Sequence, residues 1–168
     1  MSNPTGKIEL QPIGIIHSPF TERRGTPIQP NRGKDIKGTI EIYEQYRQGL
    51  DDLDGFSHVV LLYFLHLSNG FDLKVVPFLD NVKRGLFATR APRRPNPIGI
   101  SVVRLEGIES GTIYIRDLDI IDGTPLLDIK PYVSEFDDPG EIRIGWLTNK
   151  AGIANKTEAD DRFSEDNK

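Results

Sequence analysis

Six cations, Lys83, Arg84, Arg90, Arg93, Arg94 and Arg104, fall in a segment that holds no Asp or Glu. Guanidinium groups pair bidentately with phosphate, so this density suits an anionic or planar ligand. Pro92, Pro95 and Pro97 lie among them. Each fixes its own φ, lacks a donor and pushes the preceding residue toward extended geometry, so no helix passes through. The result is a stiff cationic loop between two apolar, strand-like segments, and a stiff loop loses little entropy on binding. A plain surface loop with solvated arginines is the alternative, and the combined density of Arg and Pro favours function over it.

A second cluster, DLDIIDGTPLLDIKPY, places carboxylates at Asp117, Asp119, Asp122 and Asp128. Loops for hard cations space oxygen ligands closely and end in a bidentate Glu, whereas apolar pairs interrupt this stretch, so a metal site is disfavoured. The pattern reads as a strand, a tight Asp-Gly turn and another strand. Asp119 and Asp122 then sit where they can accept hydrogen bonds from a ligand, and plain turn structure fits equally well. His17, His58 and His66 are the groups whose ordinary pKa lies near neutrality. His58 and His66 bracket the apolar run VVLLYFL, and a regular strand would separate them by about 26 Å, too far for a shared metal. Each alone reads as a hydrogen-bonded structural histidine. His66, where the strand opens into a loop, is the better candidate for chemistry.

These groups need elements to position them. The 168 residues are the size of one domain. The net charge of −4 conceals an asymmetry: with six cations in the segment 83–104, the remainder carries −10. Such a protein binds nucleic acid on one face while its other faces repel it. No cysteine is present, which excludes disulfides, zinc-thiolate sites and thiol nucleophiles and fits a reducing compartment. Neither a signal-like apolar segment at the start nor an apolar run of membrane-spanning length occurs, so the expectation is a soluble cytoplasmic protein without membrane contact. No two glycines stand two apart, and G-x-S-x-G, H-E-x-x-H and Walker motifs are missing.

Leu10–His17, Gly38–Ile42, Val59–Leu65, Thr112–Ile115, Ile129–Val133 and Ile142–Leu147 read as strands, with Val59–Leu65 buried on both sides. Tyr43, Tyr46, Leu50 and Leu53 are spaced for an amphipathic helix that Gly49 weakens. Residues 20–35 and 68–84 are long loops, 1–8 are expected to be disordered, and 148–168 form a polar extension. Many short strands, one helix and Gly/Pro punctuation predict a mainly β domain over residues 9–147, a single small closed or partly closed β-structure.

Four stretches then resemble a family. IGIIHSPF, LDGFSHVVLLYFLH, FATRAPRRPNPIGIS and DLDIIDGTPLLDIKPY are similar, in order, to the signature blocks of the TrmO family, also called TsaA-like or VirR-like, over Ile13 to Tyr132. The resemblance implies a dimeric small β-barrel that methylates tRNA with S-adenosylmethionine, at N6 of the threonylcarbamoyladenosine beside the anticodon. By motif position it implies cofactor contacts from Pro27, Ile28, Gln29, His66, Leu67, Arg90, Ile100, Asp119, Ile120, Ile121 and Asp122. Loss of the N6 proton calls for an acceptor, with His66 and Asp122 as candidates. Arg93 and Arg94, assisted by Lys130, are expected to hold tRNA phosphates. The competing class is a non-catalytic module that senses S-adenosylmethionine or RNA. The presence of both the carboxylate turn and the cationic loop favours the enzyme.

Overall fold

The computed structural model describes residues 7–22, 35–148 and 163. Eight strands follow in chain order: β1 (Gly14–His17), β2 (Lys37–Ile42), β3 (His58–Phe64), β4 (Lys74–Val75), β5 (Arg84–Gly85), β6 (Ile98–Glu109), β7 (Thr112–Arg116) and β8 (Thr124–Pro131). Six of them close into an antiparallel barrel in the order β1-β2-β7-β6-β3-β8, with β8 pairing back to β1, while β4 and β5 form a separate two-stranded ribbon. This is the mainly β barrel that the sequence predicts.

The alternation of side chains decides which face of each strand turns inward. Ile16, Ile40, Val59, Leu61, Val103, Ile113, Ile115 and Leu126 are fully buried in one cluster. Burial of each such side chain contributes about 1.5–3 kcal/mol. Leu118 and Ile120, from the β7–β8 connection, join the same cluster. Register shifts between Leu62 and Tyr63 on β3 and between Leu105 and Gly107 on β6 add the local bend and twist that a small barrel requires.

Three expectations are corrected. VVLLYFL is not buried on both sides: Val59, Leu61 and Tyr63 face the core, while Val60, Leu62 and Phe64 face outward. A barrel has a single interior, so an apolar outer face is left on this strand. The helix expected over Tyr43–Leu53 is replaced by two 3₁₀ turns, Glu44–Leu50 and Leu53–Gly55, broken where Asp52 adopts φ 65°. Tyr46, Leu50 and Leu53 still pack on the core, so the apolar spacing is satisfied by tighter turns. Ile142–Leu147 is not a strand but ends in the 3₁₀ turn Gly145–Leu147, and the one α-helix among the described residues is the single turn α1 (Ser134–Asp137).

A second, smaller apolar cluster underlies the cationic loop. It joins Val75, Leu86 and Ala91 with Phe163, whose ring meets Phe78 edge-on at 5.0 Å. Trp146 Nε1 donates to the Ala88 carbonyl at 2.8 Å, and the Arg84 guanidinium lies 5.4 Å from the Trp146 ring centre. Residues beyond the barrel thus brace the loop from the side.

Inside the barrel, Tyr63 lies opposite Gly99 and its ring covers that glycine, so a methyl group at 99 would occupy the space of the ring. Gly99→Ala is expected to lower stability by about 1–3 kcal/mol, the range for overpacking, as a fall in the urea midpoint at constant slope. An unchanged midpoint would show that the ring moves aside at no cost.

Candidate active site

The polar groups of the barrel interior form one chain. Ser101, buried on β6, donates from Oγ to Asp119 Oδ1 at 2.7 Å, and its Oγ lies 3.0 Å from the Tyr63 hydroxyl. Since the serine proton goes to the carboxylate, Tyr63 donates to Ser101. Burial pushes the Asp119 carboxyl up to about 6, against the stabilising effects of the Ser101 bond, a backbone amide and the charge of Arg90. Burial, reinforced by Asp119, raises the Tyr63 phenol and keeps it protonated.

Asp122 stands three residues on, at the start of the Asp-Gly turn. Its Oδ1 accepts the Ser18 backbone N–H at 3.1 Å and faces His17 Nδ1 at 3.3 Å, while His17 Nε2 is 3.9 Å from Glu41. His66 approaches the same turn: its Nδ1 is 3.4 Å from Thr124 Oγ1, which itself donates to the Ile121 carbonyl at 2.7 Å. The Thr124 proton being committed to that carbonyl, Thr124 Oγ1 is left to act as an acceptor toward the His66 ring.

The cationic loop divides into paired and unpaired charges. Arg84 binds the buried Asp80 at 2.6 Å, Arg93 reaches Asp72 at 3.5 Å, and Arg104 meets Asp117 at 3.1 Å. The Arg93 side chain is only 15% exposed, and its Nε has no hydrogen-bond partner among the described residues. Arg94 donates to the Thr89 carbonyl at 3.0 Å and the Ala91 carbonyl at 3.3 Å. Lys83, Arg90 and Arg94 therefore have no ion-pair partner within 4.0 Å among the described residues, although Arg90 acts on Asp119 through its charge.

The structure gathers the expected residues into groups. Arg90 and Asp119 interact through charge, His66 and the Ile121 carbonyl meet at Thr124, and Asp122, two residues before it, faces Ser18 and His17 instead. Ile120 is buried in the core, so any outward contact from it runs through its backbone. Leu67 and Ile100 are exposed, with Ile100 on the outer face of β6, opposite to the inward Ser101. Lys130 pairs with Asp128 at 2.8 Å and sits opposite Val60, four residues along β3 from the Phe64 end, or roughly 13 Å. Pro27, Ile28 and Gln29 lie outside the described residues. Sequence reasoning missed Tyr63 and Ser101 and read His17 only as a structural histidine; the one signal for the first two was a glycine in PNPIGIS that pairs with a tyrosine in VVLLYFL. No cluster of His, Cys, Asp and Glu that could hold a metal occurs among the described residues.

Residues 15–138 match the family model of the tRNA-methyltransferase O N-terminal domain. The chain belongs to this family. It is similar to a probable S-adenosyl-L-methionine-binding protein of Pyrococcus abyssi, with 52% identity over 91% of this chain and 83% of the relative. It also resembles the human tRNA (adenine(37)-N6)-methyltransferase, with 37% identity over 82% of this chain but only 33% of the human protein. A crystal structure of TrmO from Pseudomonas aeruginosa shares the fold with a TM-score of 0.71 and 40% identity, over 83% of this chain and 62% of that one. The chain thus spans most of the archaeal relative and about a third of the human one.

Asp119 imposes a pH dependence on this family member. Its folded pKa of about 6 exceeds the unfolded value of about 3.9, so the folded state holds the proton more tightly. Its contribution is fully favourable below the unfolded pKa and is lost as pH rises through about 6. Asp119→Asn is expected to flatten that fall and to be more stable than the parent at pH 7 by on the order of 2 kcal/mol. Urea midpoints measured between pH 4 and 8 check this, and a variant that keeps the parent's slope would remove Asp119 as its source.

Proposed function

We propose that the protein transfers the methyl group of S-adenosylmethionine to N6 of a tRNA adenosine, and that the acceptor is the threonylcarbamoyladenosine beside the anticodon. The observation that carries this reading is the family match over residues 15–138, supported by the activity for which the human relative is named. The residues present fit the cofactor: Asp119 offers a carboxylate to an ammonium or hydroxyl group, Arg90 a cation to a carboxylate, and Leu67 and Ile100 exposed apolar surface to a planar ring. His66, Ile121, Asp122 and the backbone at Ile120 complete that set, with Pro27, Ile28 and Gln29 proposed beside them. When bound, S-adenosylmethionine supplies an electrophilic methyl group on a sulfonium.

The protein's part is alignment and proton acceptance. The acceptor nitrogen belongs to a urea-like group and must lose a proton. His66 and Asp122 are the acceptors named by the sequence, and the geometry adds Asp119. Its carboxylate is ionised at neutral pH, yet with a pKa of about 6 it is more basic than an ordinary one. Ser101 and Tyr63 hold it in place. Single-turnover methylation of tRNA at saturating cofactor tests the whole reading. The rate is expected to rise with pH up to about 6 and then level, and Asp119→Asn to cost about 10²–10⁴-fold and abolish that rise. If His66→Gln or Asp122→Asn removes the rise instead, the role passes to that residue. No transfer by the parent protein, with or without the threonylcarbamoyl group on the tRNA, sinks the activity itself.

Arg94 and Lys130 are proposed to face tRNA phosphates, with Lys83 adding unpaired charge, whereas the largely buried Arg93, expected beside them, is matched by Asp72. A second copy of the chain is proposed to cover the outer face of the β3–β6 pair, where Val60, Leu62 and Phe64 lie opposite Val102, Ile100 and Ile98. Four of these, Phe64, Ile98, Ile100 and Val102, are 37–53% exposed, forming an apolar strip bordered by His58, Arg104, Asp128 and Lys130. Val102→Asp is expected to convert a dimer to a monomer in sedimentation experiments, and a parent that sediments as a monomer would refute the arrangement.

A further inference from the structure

We propose that Phe87, backed by Arg94, is a stacking platform for an unpaired base of the RNA substrate. The inference rests on the RNA-modifying reading above and deepens it, because it states what form of RNA the cationic loop accepts.

Phe87 is 75% exposed, whereas Leu86 beside it is 1% exposed. The 3₁₀ turn Leu86–Ala88 sets this contrast by driving Leu86 into the small cluster with Val75, Ala91 and Phe163, so that the next side chain projects outward. The turn is tied down on every side. Thr89 donates to the Leu86 carbonyl from both its backbone N–H, at 3.0 Å, and its hydroxyl, at 2.7 Å, and Trp146 holds the Ala88 carbonyl. A single exposed Phe is ordinary on a protein surface. A Phe held out from a fixed turn, with its orientation determined in advance, is suited to binding because little entropy remains to be lost.

The charges around the ring select the partner. The Arg94 guanidinium lies 5.8 Å from the Phe87 ring centre, within cation–π range, and its hydrogen bonds go to the neutral carbonyls of Thr89 and Ala91. Its charge therefore remains available. Lys83 and Arg90 lie in the flanking sequence without an ion-pair partner within 4.0 Å among the described residues, while Arg84, Arg93 and Arg104 are matched by Asp80, Asp72 and Asp117. Arg94 thus sets a charge without an ion-pair partner within 4.0 Å among the described residues against this exposed aromatic face, and Lys83 stands four residues before the ring in the chain. An apolar protein partner would have to desolvate those cations without compensation. A duplex would neutralise them but presents no base face to the ring. A single-stranded loop supplies both phosphates and unstacked bases, which stack on aromatic rings and on guanidinium planes.

Fluorescence anisotropy of the full chain with a labelled anticodon stem-loop RNA and with a blunt duplex of equal length, across a salt series, tests the proposal. Phe87→Ala is expected to weaken stem-loop binding by roughly 5- to 100-fold, to leave duplex binding unchanged and to preserve the slope of affinity against salt, since no charge is removed. Phe87→Trp should retain stem-loop affinity. Calorimetric binding of S-adenosylmethionine, expected to be the same in parent and variants, controls for folding. Equal stem-loop binding by the parent and Phe87→Ala overturns the platform while leaving the RNA reading intact. A change in sedimentation of Phe87→Ala from dimer to monomer assigns the ring to a protein interface instead. A parent that binds neither RNA overturns the RNA reading and the platform together.

Discussion

Seven consecutive residues of β3 pair with seven of β6, from His58 opposite Arg104 to Phe64 opposite Ile98, and both faces and one end of this ladder carry features of the proposed function. Its inner face brings Tyr63 over Gly99 and beside Ser101, the arrangement that holds Asp119. Its outer face lines up the apolar strip proposed to meet a second copy. The cationic loop enters the barrel where β6 begins, at Ile98, so the position of that loop is fixed by the same hydrogen bonds. A slip of one residue would turn Tyr63 and Ser101 outward and set the apolar strip against the core, so one register serves all three features.

The barrel was legible because alternation is a local property. Strands β2, β3 and β7 were expected close to where they occur, and the turn at Asp122-Gly123 falls where the Asp-Gly pair is. VVLLYFL misled because a strand apolar on both faces looks the same whether its second face meets another layer of the same chain or lies on the outside of a barrel. The turns at Glu44–Leu50 misled because i, i+3 and i, i+4 spacing is met by two tight turns as well as by one helix. The site was legible only in part. Asp119, Asp122 and His66 stood out as residue types in suggestive places, but the Tyr63–Ser101–Asp119 chain depends on cross-strand register and on a connection folding back, neither of which a linear pattern records. Likewise, no spacing rule pairs Arg93 with Asp72 or Arg104 with Asp117.

Those pairs change the meaning of the cationic segment. A run of six positive charges suggests one uniform phosphate-binding surface, yet half of the charges are used inside the protein. Arg84 with the buried Asp80, and the largely buried Arg93 with Asp72, tie the loop to the segment between β3 and β5. An exposed pair would add little, whereas a pair with one partner buried fixes geometry, because breaking it leaves a charge stranded. The remaining cations act through electrostatic attraction that salt screens, while the stacking of a base does not depend on salt in this way. On the proposed reading, the loop separates general attraction for RNA from selection of single-stranded RNA.

Rigidity and chemical cost meet at Asp119. A carboxylate held beside Leu118 and Ile120, with the Ser101 hydroxyl, a backbone amide and a nearby arginine offsetting its burial only in part, makes the fold less stable at neutral pH than a neutral group would. The surrounding core tolerates this because its aliphatic side chains are otherwise fully buried. The same desolvation that weakens the fold raises the basicity of the carboxylate, so the property useful for accepting a proton and the loss of stability have one physical cause and cannot be separated by repacking. Phe163 and Trp146 extend that logic beyond the barrel. Through Leu86 and Ala91 on one side and the Ala88 carbonyl on the other they hold the cationic loop by its buried side and its backbone, leaving the side chains that would touch RNA available to do so.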